Sequence, residues 1–282
     1  MPTLPPDLTR TWLFGPGADA RAHEAMQRSG ADALIVDLED LTPEARRDEA
    51  RRALAGLLSG WRDAGRITAV RINALEGDGP TDLAAAMPAR PDMIAYPMTV
   101  SAAQMHALHA ALTHWEAALG IASGTTEILP VCETALGVIN VRAIAGGSSR
   151  IRAALLGAED LAADLCAERH PDAVELEYAR RRFLLECRAA AIEPIDAPYT
   201  FSDIDGACAR CVKRVVWAID AKRSCAPSTR SPSMLHLHRV LTRFAARSQS
   251  WTDSRPHALA AKTGRSSTAF GWKCRRIGTR GA

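Results

Sequence analysis

Seven short apolar runs, separated by stretches of helical periodicity, constrain this 282-residue chain more than any other feature. They are Thr11–Phe14, Ala33–Leu38, Ile67–Ile72, Asp92–Tyr96, Glu127–Val131, Ala153–Leu156 and Glu193–Asp196. Ala33-Leu-Ile-Val-Asp-Leu38 is nearly continuous rather than alternating, as a strand buried on both faces must be. Strands alternating with helices imply a parallel sheet with right-handed crossovers. The length suits one barrel of about 250 residues. The expected fold is therefore α/β, a TIM (β/α)8 barrel with an aberrant or incomplete last β/α unit.

Local signals place the helices between the runs. The first strand breaks at Gly15-Pro-Gly17, and an Ala-rich helix follows and stops at Gly30. Thr42-Pro43 reads as N-cap and first helical residue. Behind it Ala50, Ala53, Leu54, Leu57 and Leu58 form an inner stripe that ends at Gly60. Ser101 with Gln104 makes a capping box, and Met105, Leu108, Leu112, Trp115 and Leu119 then face the core. A further helix is expected over 175–191. His106, His109 and His114 read as the solvent face of their helix.

Two of the strands deliver a carboxylate at their C-terminal edge. Ile-Leu-Pro-Val-Cys-Glu-Thr-Ala (128–135) presents Glu133, and Ala-Leu-Leu-Gly-Ala-Glu-Asp-Leu (154–161) presents Asp160. In a barrel, that edge is where catalytic groups collect. With neither His nor a converging thiol pair, two such carboxylates favour a hard cation such as Mg2+, which takes oxygen ligands. Their other reading is helix capping, since carboxylates also favour helix N-termini. Arg71 likewise has two readings, a substrate clamp or an ion-pair partner of Asp37 or Glu39.

Composition divides the chain. Residues 207–282 hold sixteen Lys and Arg against only Asp220 and Asp253, a net of +14, while residues 1–206 carry a net of −11. Three of the six Trp and four of the seven Cys also fall after residue 206. Two segments are therefore expected: a barrel over 1–206 and a basic, atypical stretch over 207–282. We read that stretch as a change of reading frame around 206–215. Val215–Ile219 is the best remaining candidate for an eighth strand, and Met234–Phe244 for a short basic helix.

Cys208-Ala-Arg-Cys211 lacks a well-spaced second pair, because His236 and His238 are separated by one residue, so zinc is disfavoured. Trp217, Trp251, Phe270 and Trp272 add stacking groups to the basic segment, but no recognition motif accompanies them and nucleic acid is not the expected partner. No leader or membrane span is visible, and a cytoplasmic location with no membrane partner is expected.

Taken together, Arg10-Thr-Trp-Leu-Phe-Gly-Pro-Gly17, Asp37-Leu-Glu-Asp40, Val70-Arg-Ile-Asn73, Cys132-Glu-Thr-Ala135 and Gly157-Ala-Glu-Asp-Leu161 resemble the HpcH/HpaI aldolase and citrate lyase beta-subunit family. Ala179-Arg180 and Ile195-Asp196 also fit. The resemblance implies a barrel of the phosphoenolpyruvate/pyruvate type that binds Mg2+ and cleaves a carbon–carbon bond. Its substrate would be a short 3-hydroxy-acyl-CoA thioester or a related 2-oxo or 3-hydroxy acid. Glu133 and Asp160 would hold the metal, and Arg71 would clamp a carboxylate. Gly15 and Gly17 would let backbone N–H groups approach the substrate. Glu39 and Asp40 would tune the metal's water network or assist proton transfer, and the chain would assemble as a homotrimer or hexamer.

Two departures qualify the resemblance. Pro97-Met98 stands where many relatives have Pro-Lys, and nothing in 207–282 matches the family's C-terminal Gly-Lys and Ile-His-Pro segments. A hydro-lyase or thioesterase on the same scaffold, or a metabolite binder without turnover, are the competing functions.

Overall fold

A computed structural model describes residues 9, 11–198 and 200 of the chain. Seven strands form one parallel sheet in sequence order: β1 (Trp12–Pro16), β2 (Ala33–Asp37), β3 (Ile67–Arg71), β4 (Met93–Tyr96), β5 (Glu127–Cys132), β6 (Ala153–Leu156) and β7 (Glu193–Ile195). The crossovers contain α1 (Ala20–Arg28), α2 (Arg47–Asp63), α3 (Gly79–Ala86), α4 (Ala102–Ala118), the short α5 (Ala135–Ile139) and α6 (Val141–Gly146), α7 (Glu159–Asp164) and α8 (Glu177–Ala189). The sheet curls into an open half-barrel, with β1 and β7 as its edges among the described residues. The eighth-strand and basic-helix candidates, and Arg10, lie outside the described residues.

Strand parity separates two apolar layers. Leu34, Val36, Val70, Ile94, Ile128, Cys132, Ala154 and Leu156 pack outward against the helices. Ala33, Ile35, Ile67, Ala69, Met93, Ala95, Leu129, Val131, Ala153 and Leu155 form a second cluster on the inner face. Side chains alternate across a strand, so the inner row continues through Asp37, Arg71 and Glu133 at the C-terminal ends. The register pairs Pro16 with Asp37, Asp37 with Arg71 and Arg71 with Ala95. The parity that packs the core thus also aims the polar groups into the mouth.

Some local expectations are corrected. Thr42 does not cap a helix: its hydroxyl donates to Asp37 O at 2.5 Å and accepts from the Gly17 N–H at 2.7 Å. The helix begins only at Arg47, after a 3-10 turn over Glu44–Arg46, and continues through Gly60 to Asp63. Ala53 is exposed, and Trp61 is buried in the stripe instead. The Ser101–Gln104 capping box forms as expected. His106 and His114 are exposed, whereas His109 is half-buried and bonded to Ser148 Oγ at 2.7 Å.

Candidate active site

The mouth of the half-barrel gathers carboxylates around one guanidinium. Arg71, at the end of β3, donates from Nε and Nη2 to the two oxygens of Asp37 at 2.8 and 2.5 Å. Asp37 also accepts the backbone N–H groups of Glu39 and Leu41 at 2.9 and 3.0 Å. Each Asp37 oxygen thus has two donors, so this carboxylate is a structural counter-ion. Arg71 Nη1 lies 2.9 Å from Glu39 Oε2, Nη2 lies 3.6 Å from Asp40 Oδ2, and the guanidinium sits 5.5 Å from the Phe14 ring centroid. The edge of the Arg71 fork is therefore held by Asp37, and Nη1 faces the Glu39 side of the mouth.

Glu133 follows β5 and is only 3% exposed. Its Oε1 accepts the Met98 N–H at 2.7 Å. It does not cap α5; Thr134 does so, accepting from the Gly137 N–H at 3.0 Å. Asp160 is exposed in the first turn of α7, a position where a carboxylate suits the helix dipole as well as a ligand. Gly15 and Gly17 are both buried. The Gly17 N–H is taken up by Asp37 O at 3.0 Å and by Thr42. A Cβ on Gly17 would meet Ala50 Cβ at 2.8 Å, so close packing already accounts for that glycine.

Electrostatics separate this cluster from an ordinary buried pair. At the opposite end of the barrel Glu116 is also buried. Burial alone would push its pKa up, but Arg150 and the N–H groups of Thr126 and Gly124 hold it below the usual range. Glu133 has one backbone donor and shares Arg71 with its neighbours. Burial, reinforced by the charges of Asp160 and Asp40, pushes its pKa up to about 7 despite Met98 and Arg71. Glu39 is pushed up to about 8, first by burial and then by Asp40, Glu133 and Asp37, against the pull of Arg71. Burial also raises Asp40. The carboxylates of the mouth therefore outnumber its single Arg71 guanidinium.

That deficit and the all-oxygen donor set fit a divalent cation. Glu39 Oε2 is buried and meets Arg71 Nη1 at 2.9 Å as an ion pair, so it is the surplus of carboxylates over one guanidinium, not an orphaned oxygen, that calls for a cation. Among the described residues no three His, Cys, Asp or Glu converge as a ready-made cage. Two carboxylates with water and ligand oxygens, the arrangement usual for Mg2+, are what the cluster can offer.

Sequence reasoning found these carboxylates through their strand-end positions. The Met98 N–H leaves no trace in a motif, because a backbone donor is not written in residue type. Sequence reasoning also missed the brace under β3, where Asn73 Nδ2 donates to Leu38 O and Asp82 Oδ2 at 3.0 and 2.8 Å.

An open α/β barrel with an acidic, cation-deficient mouth defines the class. The family model for HpcH/HpaI aldolase/citrate lyase matches residues 10–227, and the chain belongs to that family. The citrate lyase subunit beta of Leuconostoc mesenteroides subsp. cremoris is 37% identical over 196 residues, 68% of this chain and 64% of that relative. The match thus spans less than two thirds of that relative's length. A (3S)-malyl-CoA thioesterase of Cereibacter sphaeroides is 31% identical over 204 residues, covering 72% of this chain and 67% of the relative. CitE from Mycobacterium tuberculosis, solved in complex with magnesium and acetate, superposes with a TM-score of 0.56 at 26% identity, covering 83% of this chain and 98% of that one.

Proposed function

We propose that the chain is a Mg2+-dependent carbon–carbon lyase that cleaves a short 3-hydroxy-acyl-CoA thioester of the citryl-, malyl- or citramalyl-CoA type to acetyl-CoA and a 2-oxo acid. The observation that carries this reading is the buried, cation-deficient Glu133, facing Arg71 in the mouth of a barrel of this family. Glu133 and Asp160 would hold the cation, which supplies Lewis-acid polarisation of the oxygens of the developing 2-oxo acid.

The chain's own groups supply position and protons. Arg71, locked on one edge by Asp37, presents Nη1 to a substrate carboxylate that exchanges places with Glu39. A guanidinium fixed before the substrate arrives orients it without reorganisation during reaction. Cleavage takes a proton from the 3-hydroxyl as the adjacent carbon–carbon bond breaks, and the departing thioester enolate is then protonated. Glu39 suits this proton traffic better than the more exposed Asp40, because a pKa near 8 leaves both its forms accessible around neutrality.

The thioesterase among the relatives favours a second reading, hydrolysis of the same thioester. Incubating the full chain with Mg2+ and citryl-, malyl- and citramalyl-CoA, with Glu133→Ala as control, separates the two. A lyase gives acetyl-CoA and a 2-oxo acid and loses this in the variant. A thioesterase gives free CoA and the intact hydroxy acid. Neither product from folded protein would leave a metabolite binder.

A further inference from the structure

The Glu133 carboxylate is confined from two neighbouring strand ends, on neither side by another side chain. Gly157 follows β6 opposite Glu133, and its N–H donates to Cys132 O at 3.1 Å. A Cβ on Gly157 would stand 2.4 Å from Glu133 Cβ and 2.6 Å from Glu133 Oε2. Gly157 is not among the positive-φ glycines. The backbone there would accept alanine, so the glycine is needed for the space Glu133 fills.

On the other side Met98 adopts a φ of 44°, and its N–H reaches Glu133 Oε1 at 2.7 Å. A left-handed backbone is disfavoured for a residue with a side chain, so its surroundings must enforce the turn. Thr99 N–H donates to Val131 O at 3.0 Å and Thr99 Oγ1 to Tyr96 O at 2.9 Å. Gln104 Nε2 donates to Met98 O at 3.3 Å, and Asn140 Nδ2 to Val100 O at 2.9 Å. The loop after β4 is thereby tied to β5, α4 and the start of α6.

We infer that Gly157 and the Met98 peptide are positioning elements that hold the Glu133 carboxylate in the one orientation from which it serves a divalent cation. The inference rests on the reading of Glu133 as a metal ligand. Thermal unfolding of the full chain, titrated with Mg2+ after EDTA treatment, tests it, since a ligand of the native state raises Tm by mass action. The wild-type chain should be stabilised by Mg2+ and Glu133→Ala should not. An unchanged response in Glu133→Ala overturns the ligand reading itself, whatever Gly157 does.

With that response lost, Gly157→Ala is expected to weaken Mg2+ binding by about 10–100-fold, the range typical of groups that orient a metal ligand. Met98→Gly, which keeps the N–H and relieves the turn, should retain wild-type affinity. A merely structural glycine would lower the metal-free Tm and leave the Mg2+ affinity unchanged, and that result overturns the proposal. If Gly157→Ala does not fold, Asn140→Ala, which unties the loop carrying the Met98 peptide without touching Glu133, is titrated with Mg2+ in its place. Weakened Mg2+ binding by that variant supports the proposal, and wild-type affinity overturns it.

Discussion

Glu133 and Glu39 share one guanidinium with Asp37 and Asp40, and this imbalance makes the mouth pH-sensitive. Both folded pKa values are raised, to about 7 and about 8, so the native state binds more protons than the unfolded chain above their ordinary pKa of 4.5. Stability in EDTA should then fall as pH rises from about 4.5 through 7–8, because the unfolded state gives up these protons more readily. Mg2+ favours the ionised carboxylates, so its effect on Tm should be larger at pH 8 than at pH 6; melting curves at both values check this. Arg71→Ala should cost about 3–5 kcal/mol in urea unfolding, the usual penalty for leaving one partner of a buried pair unmatched. Arg71 and Glu133 are legible in the sequence because each ends an apolar run. The sequence leaves Arg71 open between a substrate clamp and a partner of Asp37 or Glu39; that it commits one edge to both oxygens of Asp37 and turns Nη1 toward Glu39 comes only from strand register, across segments over thirty residues apart.

At the scale of elements, the seven strands are readable from the apolar runs, and helix boundaries less so. The α2 start was misplaced because Thr42 uses its hydroxyl to join the Gly17 loop to the end of β2 instead of capping. Gly60 does not end α2, since an isolated glycine costs a helix only about 1 kcal/mol. Gly17→Ala would bring a methyl within 2.8 Å of Ala50 Cβ and 3.0 Å of Asp37 O. We expect a loss of about 1–3 kcal/mol, as for other overpacked sites, read as a lower urea midpoint. The Ala-Arg and Ile-Asp motifs also acquire a shared meaning: Arg180 on α8 and Asp196 after β7 form a buried bidentate pair. Asp196→Ala should destabilise by a similar 3–5 kcal/mol, roughly, by removing the carboxylate that takes two donors of a buried guanidinium.

For the whole molecule, the family match runs to residue 227, past the composition boundary at 206. We propose that the basic stretch over 207–282 arises from a shifted frame; resequencing the coding DNA decides it, since a continuation rich in Glu in another frame supports the proposal and its absence refutes it. None of the described helices is long and apolar enough to cross a membrane. We propose that the acidic mouth holds a divalent cation through Glu133 and Asp160. Calorimetric titration of the metal-free full chain with Mg2+ at pH 8, beside Glu133→Ala and Asp160→Ala, tests it most directly. One saturable site in the wild-type chain, lost or strongly weakened in both variants, is the predicted result. Equal binding by all three proteins, or none by the folded wild-type chain, would contradict it.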